Sequence, residues 1–288
     1  RVAVLLIADG RPARLAGQLP ALRDVDFGGH PWAALVVAAA LQAVATGDDA
    51  RVGELLVSAE DDFGRVGEQR GFGFVAYVRG LGALGRGNLA DAAVWWRRAC
   101  EYLGEDGGPL DERALANLGL AEYHEGNLQG ALLITEQALA LARRHHNRRA
   151  EGMSLLYLGF FSLWAGDFGR ADTLLSAART VYGEISDPFD RAEWPLVEAA
   201  CGVLHALRRD QPCAEAAFTA ALEASENVQT PWFTAMIRAL RAEFCAQWEP
   251  ARSLTDARAA FDFLAGVIGD EWWCRWARRA VAVADMHG

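Results

Sequence analysis

Residues 118–139 read LGLAEYHEGNLQGALLITEQAL and combine small residues with a turn signal at fixed offsets. Gly119 lies seven residues before the pair Gly126-Asn127, and Ala131 and Ala138 follow Gly126 after five and twelve residues. Glycine ends a helix in the left-handed conformation that other residues adopt at a cost. The stretch therefore predicts two helices that are joined by a tight turn and cross closely at their small residues.

The same pattern returns along the chain at a nearly constant spacing. A glycine followed by Asp or Asn recurs at almost equal steps, as Gly47-Asp48, Gly87-Asn88, Gly126-Asn127 and Gly166-Asp167. Small or β-branched residues stand five positions after each glycine, at Val52, Ala92, Ala131 and Ala171. Alanines stand twelve positions after it, at Ala59, Ala99, Ala138 and Ala178. Small residues stand seven positions before it, at Ala40, Gly80, Gly119 and Gly159. A period of this size, about 40 residues, is typical of an array of helical hairpins.

This pattern resembles the tetratricopeptide repeat, whose hairpins carry a Leu-Gly pair, a Gly-Asn or Gly-Asp turn and then alanines. A later copy keeps Gly202, Asp210 and Ala214 in register but has Arg209 in place of the turn glycine. The resemblance covers roughly residues 31–225. We therefore expect an all-α fold of about 13 to 15 helices, a right-handed superhelix of tandem antiparallel hairpins.

We expect one repeat domain over residues 1–288 that belongs to a longer multidomain protein. The apolar run 2–8 reads as the tail of a first helix, and residues 271–286 read as a helix with no partner, so the array begins and stops inside a hairpin. The predicted repeats are 1–27 (partial), 31–66, 71–108, 111–149, 150–186, 192–226, 231–267 and 270–288 (partial).

Composition excludes several classes of function. All 28 basic residues are arginine, so no lysine chemistry is available, and a net charge of −10 argues against direct contact with a nucleic acid. No apolar run is long enough for a membrane span. The five cysteines are scattered without a CxxC pair, which fits reduced thiols, and we expect a cytoplasmic protein.

The sequence contains no convincing catalytic, cofactor or metal motif. Residues 80–85, GLGALG, match the GxGxxG dinucleotide fingerprint, but that fingerprint needs a preceding strand. Here Gly80 occupies the small-residue position of a repeat, within a predicted helix. The histidines form no HExxH motif, and no Ser or Cys can be paired with a His. We therefore predict no enzyme activity, no cofactor in this segment and no metal site.

The candidate binding surface lies on the first helix of each hairpin, which lines the concave groove in tetratricopeptide-like arrays. The groove positions are Phe74, Tyr77, Leu81, Leu120, Tyr123, Met153, Leu156, Phe160 and Trp164. The segment 153–164 is apolar almost all round, and an exposed apolar patch marks a binding surface. The alternative is a tightly wound array whose groove closes on itself.

Long arrays with repeats of this length, rich in Ala, Arg and Trp, resemble the C-terminal sensor regions of large bacterial transcriptional activators. These are LuxR-type regulators of the maltose-regulon-activator type, with an NTPase module before the array and a helix-turn-helix after it. The resemblance implies a sensor that binds a small-molecule inducer or a protein or peptide segment, with the NTPase and DNA-binding domains on the same chain. The alternative is a general interaction scaffold unrelated to transcription.

Overall fold

The structure, a computed structural model, describes residues 49–103, 110–186, 191–228, 231–268 and 272–287, and these residues form helices without any strand. The twelve helices within them are α1 (Asp49–Val66), α2 (Gln69–Gly85), α3 (Leu89–Leu103), α4 (Asp111–His124), α5 (Leu128–Arg144), α6 (Arg148–Trp164), α7 (Phe168–Gly183), α8 (Trp194–Leu207), α9 (Gln211–Val228), α10 (Pro231–Cys245), α11 (Pro250–Ile268) and α12 (Trp272–His287). The all-α prediction is confirmed. None of the described helices has the length and hydropathy that a membrane crossing requires.

The chain falls into two compact units, Arg1–Ala150 and Glu151–Gly288. In unit 1, α1 packs on α2, and the pairs α2/α3 and α4/α5 are hairpins that meet through α3 and α4. In unit 2, the pairs α8/α9 and α10/α11 are hairpins, α7 packs on α8, and α12 packs on α10 and α11. Helices α6 and α7 are joined by the Gly166-Asp167 turn. The prediction of a single domain over 1–288 stays a prediction.

Each Gly-Asn or Gly-Asp pair forms both the end of one helix and the start of the next. Gly126 has a φ of +86°, and the N–H of Asn127 donates to the Glu122 carbonyl at 2.9 Å, which closes the end of α4. Asn127 Oδ1 then accepts from the N–H of Gly130 at 3.0 Å and caps α5. Gly87 and Gly166 adopt the same conformation, with φ values of +76° and +78°. Three of the four predicted turns are thus confirmed, and Gly47-Asp48 lies outside the described residues.

The degraded turn keeps this geometry without its glycine. Arg209 has a φ of +62°, and the N–H of Asp210 donates to the His205 carbonyl at 2.9 Å, as in the glycine turns. A residue with a Cβ is strained in this region. The α8/α9 hairpin therefore retains the register that the sequence predicted. Arg209 takes the left-handed backbone conformation there in place of a glycine.

The helices cross at the predicted small residues. The six crossing alanines are fully buried, each with 0% exposure: Ala92, Ala99, Ala131, Ala138, Ala171 and Ala178. In every hairpin from α2 to α9, a glycine of the first helix faces a buried side chain sixteen residues later: Gly80 and Trp96, Gly119 and Thr135, Gly159 and Leu175, Gly202 and Phe218. In each of these four hairpins one buried side chain thus packs directly against the backbone of a glycine.

The GxGxxG stretch lies inside α2, with no strand before it in the described residues. A Cβ on Gly80 would stand 2.3 Å from Trp96 Nε1, so this glycine is required by helix packing.

Candidate functional site

In unit 1 the predicted groove positions lie on α2 and α4. Phe74 and Leu81 on α2 are partly exposed, as are Leu120 and Tyr123 on α4. Tyr77 is fully buried, at 0% exposure. This side chain can support a binding surface from beneath but offers no area to a partner.

The buried Tyr77 ring is covered by an arginine of the next hairpin. The Arg113 guanidinium carbon lies 5.5 Å from the ring centroid of Tyr77, within the range of a cation–π contact. Tyr77 Oη and Arg113 Nε are both buried without a hydrogen-bond partner among the described residues. The contact joins α2 to α4 on the first-helix side of unit 1.

Burial also governs the ionisation of the two residues that end α4. It raises the pKa of Tyr123 to about 12 and lowers the pKa of His124 from its usual 6.5 to about 4. Their rings meet edge to face, with centroids 5.3 Å apart. Both side chains are therefore neutral near pH 7.

In unit 2 the candidate surface is carried by α6. Every residue from 150 to 163 is buried except Tyr157 and Phe160, which are partly exposed, and Trp164 at the end of the helix is 39% exposed. Positions 157, 160 and 164 lie on one face of a helix. Met153 and Leu156, which the sequence placed in the groove, are buried at 3% and 0% exposure.

A residue of α10 completes this surface. The ring of Phe244 stacks on that of Trp164, with centroids 5.9 Å apart and an interplanar angle of 15°. The rings of Phe160 and Trp164 lie 6.3 Å apart. We call the set Tyr157, Phe160, Trp164 and Phe244 the aromatic stripe.

Sequence reasoning missed Tyr157 and Phe244. Tyr157 lies three residues before Phe160 and so shares its helix face, a signal that was available. Phe244 lies in the predicted repeat 231–267, whose turn before Pro250 carries no Gly-Asp pair to set its register. Its place beside Trp164 therefore had no signal in the repeat pattern.

Three buried carboxylates clamp neighbouring helices together. Asp111 accepts from Arg70 at 2.8 Å between α4 and α2, and Glu198 accepts from Arg179 at 2.9 Å between α8 and α7. Asp256 of α11 accepts from Arg241 of α10 at 2.6 Å. Each carboxylate forms an ion pair with an arginine of the neighbouring helix, so these groups hold the helices together.

The described residues of unit 1 form a small cleft between α1, α2 and α3. Its volume is about 220 Å³, and Arg79, Arg86 and Trp95 line it together with apolar residues of α1. Arg79 lies 4.8 Å from the Trp95 ring centroid and pairs with Glu60 at 2.6 Å. Ligand pockets are typically about 300–1,000 Å³, so this cleft is small for an organic inducer.

No family model matches the chain, and no curated protein is significantly similar to it in sequence. Solved structures do resemble it. A chain of the APC/C hetero-tetramer Cut9-Hcn1 has a TM-score of 0.65 at 15% identity, over 97% of this chain and 47% of its own length. This chain thus spans about half of that one. Aspartyl phosphate phosphatase F from Bacillus subtilis has a TM-score of 0.60 at 10% identity, over 90% of this chain and 70% of its own.

A third similar structure is a Rap protein complexed with Competence and Sporulation Factor. Its TM-score is 0.61 at 10% identity, over 94% of this chain and 79% of its own length. At such low identities these similarities concern the fold. The chain has the fold of a TPR-like helical repeat solenoid.

Proposed function

We propose that this chain is a non-catalytic binding module whose aromatic stripe holds the apolar side of a partner polypeptide segment. The observation that carries the proposal is the pattern of exposure on α6. Between residues 150 and 164, the helix exposes aromatic side chains at three positions on one face and buries the rest. Exposed aromatic clusters are costly in water and are enriched at the centres of protein interfaces.

The form of the stripe favours a polypeptide segment over a small inducer. Residues 157 to 164 span about 10 Å along α6, at roughly 1.5 Å per residue. Phe244 extends the surface onto α10 while Trp164 keeps 39% of its area exposed. Open apolar surfaces of this kind receive the i, i+3 and i+4 anchors of an amphipathic helix. A Rap protein of similar fold has been crystallised with Competence and Sporulation Factor, which is consistent with this use of the fold.

Unit 1 carries a second proposed contact surface of its own. It is formed by the partly exposed groove positions Phe74, Leu81, Leu120 and Tyr123. Tyr77, Met153 and Leu156 are proposed to support the two surfaces from below, since their side chains are buried.

The thiols support a non-catalytic role. Burial raises the pKa of Cys100, Cys201 and Cys245 to about 12, whereas a nucleophilic cysteine needs a lowered pKa. The buried carboxylates Asp111, Glu198 and Asp256 are each held by an arginine.

We further propose that the module is the sensor region of a bacterial transcriptional regulator, with NTPase and DNA-binding domains on the same chain. Support comes from the long repeat period and the Ala-, Arg- and Trp-rich composition. A coding sequence with a phosphate-binding loop before this segment and a helix-turn-helix after it would support the assignment. Flanking domains of another kind would instead favour the alternative, a general interaction scaffold unrelated to transcription.

The binding proposal is tested by selecting peptides from a random displayed library against the purified protein. Fully burying one aromatic side chain is worth roughly 1.5–3 kcal/mol, so Trp164→Ala should weaken a selected peptide about 10- to 100-fold. Leu133→Ala is the matched control, because Leu133 is an exposed apolar residue on a second helix, at 58% exposure. An equal loss of peptide affinity in both variants contradicts the proposal. Binding of small apolar compounds, but not peptides, through Trp164 identifies an inducer site instead.

A further inference from the structure

Three side chains of types that can bind a metal ion lie close together at the turn between α8 and α9. His205, Asp210 and Cys213 each offer one ligand atom, and these atoms all lie within 4.8 Å of one another. His205 Nδ1 and Asp210 Oδ2 are 3.8 Å apart. All three residues belong to unit 2. The spacing H-x4-D-x2-C matches no familiar zinc motif, so a metal ion here would be contrary to the prediction made from the sequence.

The turn itself does not require this combination. The other hairpins use the position of Asp210 for the same helix cap, but they carry no such set of ligands. The corresponding residues are Ala83, Asn88 and Asp91 in the first, Glu122, Asn127 and Gly130 in the second, and Ser162, Asp167 and Arg170 in the third. Cys213 is also exposed, although free cysteine is among the most buried residue types.

The two carboxylate oxygens of Asp210 make different contacts. Oδ1 accepts from the N–H of Cys213 at 3.3 Å and caps α9, while Oδ2 faces His205. The hydrogen bond at Oδ1 thereby orients the carboxylate, with its other oxygen 3.8 Å from His205 Nδ1.

We propose that His205 Nδ1, Asp210 Oδ2 and Cys213 Sγ bind a zinc ion, with a water at the fourth position. Nitrogen, oxygen and thiolate ligands together suit Zn²⁺, whose bonds of about 2.0–2.3 Å place tetrahedral ligands roughly 3.3–3.7 Å apart. His205 Nδ1 and Asp210 Oδ2, 3.8 Å apart, lie slightly beyond this separation, and all three ligand atoms lie within 4.8 Å of one another, so small side-chain movements would bring them to it. The thiolate is the form of cysteine that binds a metal, so zinc binding would release the thiol proton to solvent.

The ion would join the last turn of α8 to the first turn of α9. This is the hairpin in which Arg209 holds the left-handed conformation that Gly87, Gly126 and Gly166 hold in the three preceding hairpins. Zinc would therefore stabilise the turn that has lost its glycine, because a ligand that binds only the folded state shifts the folding equilibrium.

The test is Zn²⁺ titration by calorimetry, with Co²⁺ as a spectroscopic probe of thiolate ligation. The wild type should bind one Zn²⁺ at this site and give a thiolate-to-cobalt charge-transfer band. Cys213→Ser should abolish the band and weaken Zn²⁺ binding by at least the roughly 10–100-fold that loss of an outer-shell partner costs. Cys100→Ser, which alters a thiol outside the cluster, should leave both readouts unchanged.

Asp210→Asn removes a proposed zinc ligand but should preserve the helix cap and the fold, because asparagine caps the equivalent helix at Asn127. This variant should match the melting temperature of the wild type in EDTA and lose the rise in melting temperature that Zn²⁺ gives the wild type. The proposal is overturned if the wild type shows no saturable Zn²⁺ binding, or if Cys213→Ser and Asp210→Asn bind Zn²⁺ as tightly as the wild type.

Discussion

Replacing Gly80 by alanine tests the contact on which each hairpin is built. The new Cβ would lie 2.3, 2.5 and 2.8 Å from Nε1, Cδ1 and Cε2 of Trp96, and ordinary contacts begin near 3.4 Å. Trp96 has 0% exposure and therefore cannot swing into solvent. Overpacking costs about 1–3 kcal/mol, while alanine gains about 0.5–1 kcal/mol over glycine within a helix. We expect a net loss of about 1 kcal/mol, and at most about 2.5 kcal/mol, in the free energy of unfolding.

Urea denaturation followed by circular dichroism measures this loss, with Gly85→Ala as the control on the same helix. A Cβ at Gly85 meets no atom within 4 Å, so that variant should be as stable as the wild type or slightly more stable. Trp96→Ala removes the ring that the new Cβ would meet and should reduce the cost of Gly80→Ala by relieving the clash. Equal midpoints for Gly80→Ala and Gly85→Ala, or an undiminished cost in the Trp96→Ala background, would refute the packing argument.

Three further predictions concern the turns, the crossings and the pH dependence. Arg209→Gly should stabilise the protein by about 0.5–1 kcal/mol in urea denaturation, because it relieves a residue at φ +62°; a destabilised variant would contradict this. Ala131→Leu and Ala171→Leu should each cost about 1–3 kcal/mol by thermal melting, since both alanines have 0% exposure; unchanged melting temperatures would show that the helices do not cross there. The pKa of His124 is lowered to about 4 from 6.5, so protonation favours the unfolded state, and stability should fall as the pH drops from about 6.5 towards 4. Urea midpoints at pH 7 and pH 5 should differ less in His124→Gln than in the wild type, and an equal difference would contradict the assignment.

The repeat register could be predicted from the sequence because each signal has a local cause. In the three doublets that the structure describes, the glycine takes a positive φ and the following Asn or Asp caps the next helix. Gly80 and Ala131 are small because a second helix lies against them. These constraints act within one hairpin, so their spacing survives in the sequence even where Arg209 replaces a glycine.

The extent of the candidate site could not be predicted in the same way. A register position indicates which face a residue occupies, but the distance between neighbouring first helices decides whether it is exposed. Tyr77 and Leu156 share the predicted face and are nevertheless fully buried, at 0% exposure. Phe244 stacks on Trp164 through a contact between helices two hairpins apart, and pairings at that separation leave no periodic signal in a single sequence.

Photo-cross-linking gives the most direct test of the aromatic stripe as a binding surface. The photoreactive residue p-benzoylphenylalanine is placed at position 164, or at position 133 as a control, and each protein is irradiated with the same selected peptide. We expect a covalent adduct from position 164 and none from position 133, which lies on a second helix. An adduct from position 133, with none from position 164, would show that the partner binds the second-helix side and that the aromatic stripe belongs only to the core.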